Sequence, residues 1–391
     1  MTTPVYLDNS ATTRVREEVV EAMLPYLSES FGNPSSIHRL GRSAQLAIAE
    51  ARQRVAALLN CQAEEVYFTP CGTYSNNVAI LGRVRFAEAN GQGRHLITSA
   101  VEHSAVMGPA KHVESLGWRV TYLPVDREGF VDPDQLRKVI AHDTSIISIM
   151  WANNEVGTLE PIQEMAQIAS EAGVYFHTDA VQVTGKIATD LARVPVSTLS
   201  LSGHKFHAPK GIGVLFVRKG INLMPLVFGG GQERGLFPGT EALASIVAVG
   251  KAAELASVEL DANLVHLRRM QEILSGKLAG QDGVKFTGPK DPARRLPGHV
   301  SFVVSQVEGE AVVMKSDLKG VCLSSGSACH QGIMEPSHVL TALGVPKSEA
   351  LGSVRISAGR FNTEAECKRA AEIIREVLTS CRQAQPSGIF S

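Results

Sequence analysis

Lys205 stands directly after an apolar run, in Ser202-Gly203-His204-Lys205, and is followed by Phe206-His207-Ala208-Pro209. A lysine so placed is ordinarily an exposed loop residue. Confined between His204 and that segment, it could instead lose its proton readily and condense with an aldehyde. Asp179, in His177-Thr178-Asp179-Ala180-Val181-Gln182, offers two roles. Its carboxylate could cap a helix, or it could pair with a protonated pyridine nitrogen and turn such a ring into an electron sink. Gln182, three residues on, could reach the phenolic oxygen of the same ring. Cys71-Gly72-Thr73 opens a helix and presents backbone N–H groups and a hydroxyl to a phosphate, although many strand-to-helix turns look alike. Cys329 lies in Ser324-Ser325-Gly326-Ser327-Ala328-Cys329-His330-Gln331-Gly332, among small and polar residues rather than in core-like surroundings. Such a segment is either a plain serine-rich turn or a mobile arm carrying a group between two sites.

The elements that must position these residues alternate in type. Apolar stretches at 66–68, 96–98, 120–123, 146–150, 174–176 and 198–201 read as strands, and amphipathic stretches at 43–59 and 162–172 read as helices. This alternation implies an α/β fold with a large, mostly parallel sheet covered on both faces. Thr73, His103, Asn153, Asp179 and Lys205 all fall just beyond such strands. Ligands of open α/β sheets bind at the carboxyl ends of strands, so the five can converge on one crevice. Gly211-Ile212-Gly213 precedes a strand rather than following one and argues little for a dinucleotide site. Residues 252–270 read as one long connecting helix. Beyond it, strands expected at 298–304, around Val321 and at 353–357 belong to a smaller α+β unit, and a polar tail from Gln383 with Pro386 and Gly388 is expected to be mobile.

Composition bounds the function. The 391 residues call for more than one core, and 44% hydrophobic with 20% charged residues is ordinary globular composition. A net charge of -1 provides no general attraction to nucleic acid or to an anionic membrane. No apolar run suggests a membrane span and the N-terminus does not read as a signal peptide. The six cysteines include no CxxC pair, which argues against a disulfide framework and a structural zinc site. A reducing, cytoplasmic setting with free thiols, and no intrinsic metal, is the expectation.

Together these segments resemble the cysteine desulfurases over nearly the whole chain. The likeness is carried by Tyr6-Leu7-Asp8-Asn9-Ser10-Ala11-Thr12-Thr13, Phe31-Gly32-Asn33-Pro34-Ser35-Ser36, Ala152-Asn153-Asn154-Glu155, residues 176–182, Gly203-His204-Lys205 and Ser325-Gly326-Ser327-Ala328-Cys329. Met150-Trp151-Ala152-Asn153-Asn154-Glu155, Cys71-Gly72-Thr73 and Glu335-Pro336-Ser337-His338-Val339 lean toward its NifS branch rather than the IscS branch. The resemblance implies the pyridoxal-phosphate fold type I (aspartate-aminotransferase-like), a homodimer, and pyridoxal phosphate as cofactor. It implies a large cofactor-binding domain over 16–258, and a small domain formed by 1–15 with 259–391 that carries the Cys329 loop.

It further implies roles. Lys205 would hold the cofactor covalently, His103 would stack on its ring and move protons, and Asp179 would hold the ring nitrogen. Gly72, Thr73, Ser202 and His204 would surround the phosphate, with Thr240 reaching in from a partner subunit. Asn153 and Gln182 would meet the ring oxygen or substrate, and Arg355 would bind the carboxylate of L-cysteine as a bidentate pair. Cys329 would take the sulfur as a persulfide, leaving L-alanine, and pass it to an acceptor. An iron–sulfur scaffold protein is the implied acceptor, with Cys329 as a transient shared cluster ligand. Departures from the family pattern occur at Tyr74, where an acidic residue is usual, at Phe237, where arginine is usual, and at Ala242 and Ala358. Another pyridoxal-phosphate aminotransferase or lyase would account for Lys205 and Asp179 but leave the Cys329 segment without purpose. A non-catalytic assembly protein on the same fold is the reading from a different class.

Overall fold

The computed structural model describes residues 4–326, 328–330 and 333–383. Fourteen strands occur among them: β1 Val5–Tyr6, β2 Val66–Thr69, β3 His95–Ser99, β4 Arg119–Leu123, β5 Thr144–Ser148, β6 Tyr175–Asp179, β7 Thr198–Ser202, β8 Gly213–Val217, β9 Val284–Phe286, β10 His299–Val304, β11 Val321–Cys322, β12 Ala328–His330, β13 Ile333–Glu335 and β14 Ser353–Ser357. Seven of them form the main sheet, in the order β2-β8-β7-β6-β5-β3-β4. Only β8 runs against its neighbours; β7, β6, β5, β3 and β4 are mutually parallel. Strands β3, β5, β6, β7 and β8 are buried at every position. They therefore appear in the sequence as continuous apolar or small-polar runs rather than alternating ones.

The helix Arg39–Leu59 covers one face and buries Ala44, Ala47, Ile48, Ala51 and Val55 at intervals of three and four. It ends on Asn60, which takes the left-handed conformation at φ 49°. The helix Leu243–Val258 crosses it so closely that a Cβ at Gly250 would lie 2.6 Å from Ala51 Cα. The two helices contribute to one hydrophobic core with Phe176, Leu199, Leu201 and Phe216 from the sheet.

A second core lies under the antiparallel sheet β14-β10-β9. Helices Leu260–Leu278 and Glu364–Gln383 bury Met270, Leu274 and Leu278 and Ala370, Ala371, Ile374, Val377 and Leu378 against it. Strand β1 joins this core by pairing in parallel with β11. Each fully buried Leu or Ile here stabilises the fold by about 1.5–3 kcal/mol before the entropy of ordering it.

Two expectations from the sequence shift. The stretch read as one helix over 252–270 is two helices, interrupted at Glu259, whose ψ is 6°. No proline or glycine marks the break. Glu259 turns the chain from the first core to the second, and its carboxylate accepts from Arg16 Nη1 at 2.5 Å and from Arg360. Strand β5 starts and ends two residues before 146–150, yet the backbone goes on bonding to its neighbour: Ile149 N donates to His177 O and Trp151 N to Asp179 O. The tail residues 384–391 lie outside the described residues. No helix among the described residues is long and apolar enough to cross a membrane.

Candidate active site

Asp179 closes β6 and Ser202 closes β7, while Gly72 and Thr73 follow β2 and His103 follows β3. A cavity of about 320 Å³ lies at this carboxyl edge of the sheet. Of the residues singled out from the sequence, it brings together Gly72, Thr73, His103, Asp179, Gln182, Ser202, His204, Lys205 and Arg355. Glycine is required at 72: a Cβ there would sit 2.9 Å from Val181 Cγ2 and 3.1 Å from Ser202 Cβ. The start of the helix Gly72–Asn77 is thereby pressed onto the ends of β6 and β7, with Thr73 beside Ser202 and His204 in the cavity wall.

Asp179 is buried, and both its oxygens are engaged. Its Oδ1 accepts from Val181 N at 2.9 Å and its Oδ2 accepts from Asn76 Nδ2 at 2.7 Å. The cap-like role and an exposed acceptor face are thus compatible, since each carboxylate oxygen has a further lone pair. Behind it a relay fixes the orientation. Asn76 must aim Oδ1 at His177 Nε2, 3.0 Å away, so that ring nitrogen donates. His177 Nδ1 then accepts from the Thr198 hydroxyl at 2.9 Å. Complete burial holds His177 neutral, with its pKa pushed down to about 3.

Lys205 ends a short turn, Gly203–Lys205, and its Nζ donates to Ser10 O at 2.5 Å and Ala11 O at 2.7 Å. Burial, reinforced by the Arg355 charge and opposed by Asp179 and Asp8, lowers its pKa to about 8. His204, desolvated and facing Lys205 and Lys210, falls to about 4. Desolvation also lowers His103, with the Asp179 charge acting the other way. His103 Nδ1 accepts from Ala105 N at 3.1 Å, which leaves the proton of the neutral ring on Nε2.

Arg355 enters from the middle of β14. One arm donates to Asp8 Oδ1 at 2.8 Å, another to Asn154 O at 3.1 Å. Its Nε is buried without a hydrogen-bond partner among the described residues. Such a donor needs an acceptor, and a carboxylate supplies one in the plane of the guanidinium.

Three expected residues are placed elsewhere or left open. Asn153 is fully buried outside the cavity wall: its Nδ2 donates to Val101 O at 2.9 Å, and its Oδ1 accepts from Glu155 N and Val156 N. The neighbouring Asn154 faces the cavity instead. Thr240 is exposed and lines a separate cavity of about 200 Å³ with Tyr74 and Phe237. Cys329 belongs to the backbone hairpin β12–β13, opposite Met334, and its side chain lies outside the described residues. The segment's feet are fastened near the cavity, where Gly326 N donates to Ser353 Oγ at 3.0 Å and the Ser337 hydroxyl donates to Glu155. Sequence reasoning missed Asn76, Asp8 and the Ser10 and Ala11 carbonyls. Asp8, Ser10 and Ala11 lie in a segment already noted for its family likeness, but Asn76 carries no local signal.

The donor set fits pyridoxal phosphate. A lysine with a depressed pKa suits an aldehyde, and a buried carboxylate with no ion-pair partner among the described residues suits a pyridinium. The hydroxyls of Thr73 and Ser202 and a helix start suit a phosphate.

Residues 5–369 match the family described as aminotransferase class-V, and the chain belongs to that family. Its members use pyridoxal phosphate. The chain is 46% identical over 383 residues to "Cysteine desulfurase IscS" of Dictyoglomus turgidum, covering 98% of this chain and 96% of the relative. It is 43% identical to "Cysteine desulfurase NifS" of Azotobacter vinelandii, covering 98% and 94%. Among solved structures it resembles a "NIFS-LIKE PROTEIN" with a TM-score of 0.90 at 36% identity, covering 97% of this chain and 100% of that one. It also resembles "SspA in complex with cysteine", with a TM-score of 0.80 at 35% identity, covering 92% and 100%.

Proposed function

We propose that the protein is a pyridoxal-phosphate-dependent cysteine desulfurase that converts L-cysteine to L-alanine and retains the sulfur on Cys329. The observation that carries this reading is the meeting of Lys205, Asp179 and Arg355 in one cavity, in a chain nearly half identical to proteins named for that activity.

Lys205 would hold the cofactor through its amine, and Asp179 would keep the ring nitrogen protonated. Thr73, Ser202, His204 and the backbone at Gly72 would hold the phosphate, and Gln182 the ring oxygen. The cofactor, when bound, withdraws electrons from the α-carbon of the amino acid. Arg355 places the substrate carboxylate, which orients the α-carbon and sulfur within the cavity. Lys205 and His103 move protons, for which the depressed lysine pKa and the neutral imidazole are suited. Cys329, as thiolate, attacks the substrate sulfur. An S–S bond forms as the Cβ–S bond breaks, the carbon keeps the electron pair and takes a proton, and alanine leaves.

Finer features belong to the same proposal. Residues 16–258 would form one domain and 1–15 with 259–391 the other, since the two hydrophobic cores divide nearly there. Thr240 would serve a second copy of the chain, in a homodimer. The sulfur would pass to an iron–sulfur scaffold protein in the cytoplasm.

Purified protein given pyridoxal phosphate, L-cysteine and a thiol reductant tests the reading. Alanine and sulfide should appear in equal amounts. Lys205→Ala should lose the visible absorbance, and Cys329→Ala should keep it but make no sulfide. Full sulfide release by Cys329→Ala would sink the persulfide route.

A further inference from the structure

The two most prominent departures from the resembled family's pattern lie against each other in space. Tyr74 packs on Phe237 with ring centroids 5.6 Å apart and planes tilted by 53°. Tyr67 of β2 stands 6.5 Å from the same Phe237 ring. Phe237 is 8% exposed and belongs to a small apolar cluster with Val78, Leu215 and Leu236. The contact joins two elements that are 163 positions apart (237 − 74) and that bear phosphate-binding candidates. Tyr74 directly follows Thr73, and Phe237 precedes Thr240 by three residues.

The loop that carries Phe237 is held at its foot. Glu233 and Arg234 both take left-handed conformations, φ 46° and 57°, which persist in non-glycine residues only where the surroundings enforce them. The enforcement is visible: the Glu233 carboxylate accepts from Arg52 at 2.6 and 2.9 Å and from Phe68 N at 2.9 Å. Beyond this anchor, Gln232 Oε1 accepts from Gly239 N at 3.1 Å. Gly239 itself, at φ 130°, supplies no side chain to hold the chain in place. Phe237 is therefore the last buried side chain before Thr240, which is exposed.

We propose that the Tyr74–Phe237 ring contact is a clasp that positions Thr240 for cofactor binding. It joins the two elements through ring packing alone. The ring contact fixes the loop without charge, so its effect is insensitive to salt, whereas an exposed ion pair weakens with ionic strength. Both residues are positioning residues, and neither need touch the cofactor. The inference rests on the proposed function insofar as Thr240 serves a cofactor phosphate.

The test titrates the cofactor-free full-length protein with pyridoxal phosphate and follows the visible absorbance. Phe237→Ala and Tyr74→Ala should each weaken cofactor affinity about tenfold, with Tyr74→Phe within about twofold of the parent because the ring and not the hydroxyl acts. In a Thr240→Ala background, Phe237→Ala should add less than about twofold, since the clasp acts through Thr240. Tyr74→Glu with Phe237→Arg should recover affinity lost in either single variant, and the recovery should fade in high salt. Should Phe237→Ala fail to fold, Phe237→Leu keeps the apolar volume without the ring face, and a severalfold loss is expected there. Unchanged affinity in the Phe237 variants, or losses that add fully to that of Thr240→Ala, would overturn the clasp. Failure of the parent protein to bind pyridoxal phosphate at all would instead overturn the proposed function.

Discussion

Asn76 donates from Nδ2 to Asp179 Oδ2 at 2.7 Å, and this bond determines which face of the carboxylate remains open to the cavity. The amide is itself oriented by His177, whose Nε2 meets Asn76 Oδ1 at 3.0 Å. A pyridinium held by Asp179 would thus be aligned by groups that never touch it. Replacing Asn76 with Ala should leave the fold intact and weaken pyridoxal-phosphate binding by about tenfold or more, the worth of a hydrogen bond to a buried charge. Cofactor titration by absorbance checks this, and an affinity within about twofold of the parent would mean the relay is idle.

Lys205 reacts with an aldehyde as the free amine. With its pKa lowered to about 8, the reactive fraction in the cofactor-free protein falls about tenfold per pH unit below that value and levels off above it. Stopped-flow mixing with pyridoxal phosphate should therefore show a rate that rises with pH and bends near 8. A bend near the ordinary lysine value would show that the amine is not desolvated as the geometry implies.

Glu102, beside His103, is wholly enclosed, and burial raises its pKa to about 8. One carboxyl oxygen accepts from Ser99 and Met150 N, while the other has no partner among the described residues. The folded state holds this proton more tightly than the unfolded chain, so the contribution of Glu102 to stability declines as pH climbs from about 4.3 to about 8, by about 1.4 kcal/mol per unit at most. Glu102→Gln preserves the acceptor and removes the titration. Denaturant unfolding at acidic and alkaline pH should show a smaller decline in the variant; an identical decline would rule Glu102 out as its source.

Gly250 permits the close crossing of the helices Arg39–Leu59 and Leu243–Val258. Valine there must push Ala51 away, at a cost of about 1–3 kcal/mol. A thermal melt should fall by several degrees without loss of cofactor binding in the protein that remains folded. No change in melting would contradict the contact.

The candidate site was readable from the sequence where one residue type does one job at a strand end. Lys205, Asp179 and Thr73 are legible as candidates because strand ends can be located by hydrophobicity and the ligand edge of such a sheet follows from its topology, whereas Ser202 enters through the family resemblance. The relay residue Asn76 was not found, because an asparagine on a helix near residue 76 looks like any other until β6 is placed beside it. Asn153 and Asn154 carry the same side chain, so only the backbone path puts Asn154 in the cavity wall while Asn153 bonds to Val101 O behind it.

The chain by itself determined the α/β alternation, the parallel strands and the lysine and aspartate at strand ends, because these follow from short-range pattern and side-chain type, whereas Arg355 is marked only by the family resemblance. The tertiary structure alone decided three things. It broke the expected long helix at Glu259, where Arg16 and Arg360 converge on one carboxylate. It lowered the Lys205 pKa by burying the amine near Arg355. It also brought Tyr74 against Phe237. Each of these depends on groups remote in sequence, and desolvation and contact exist only once the chain has closed around them.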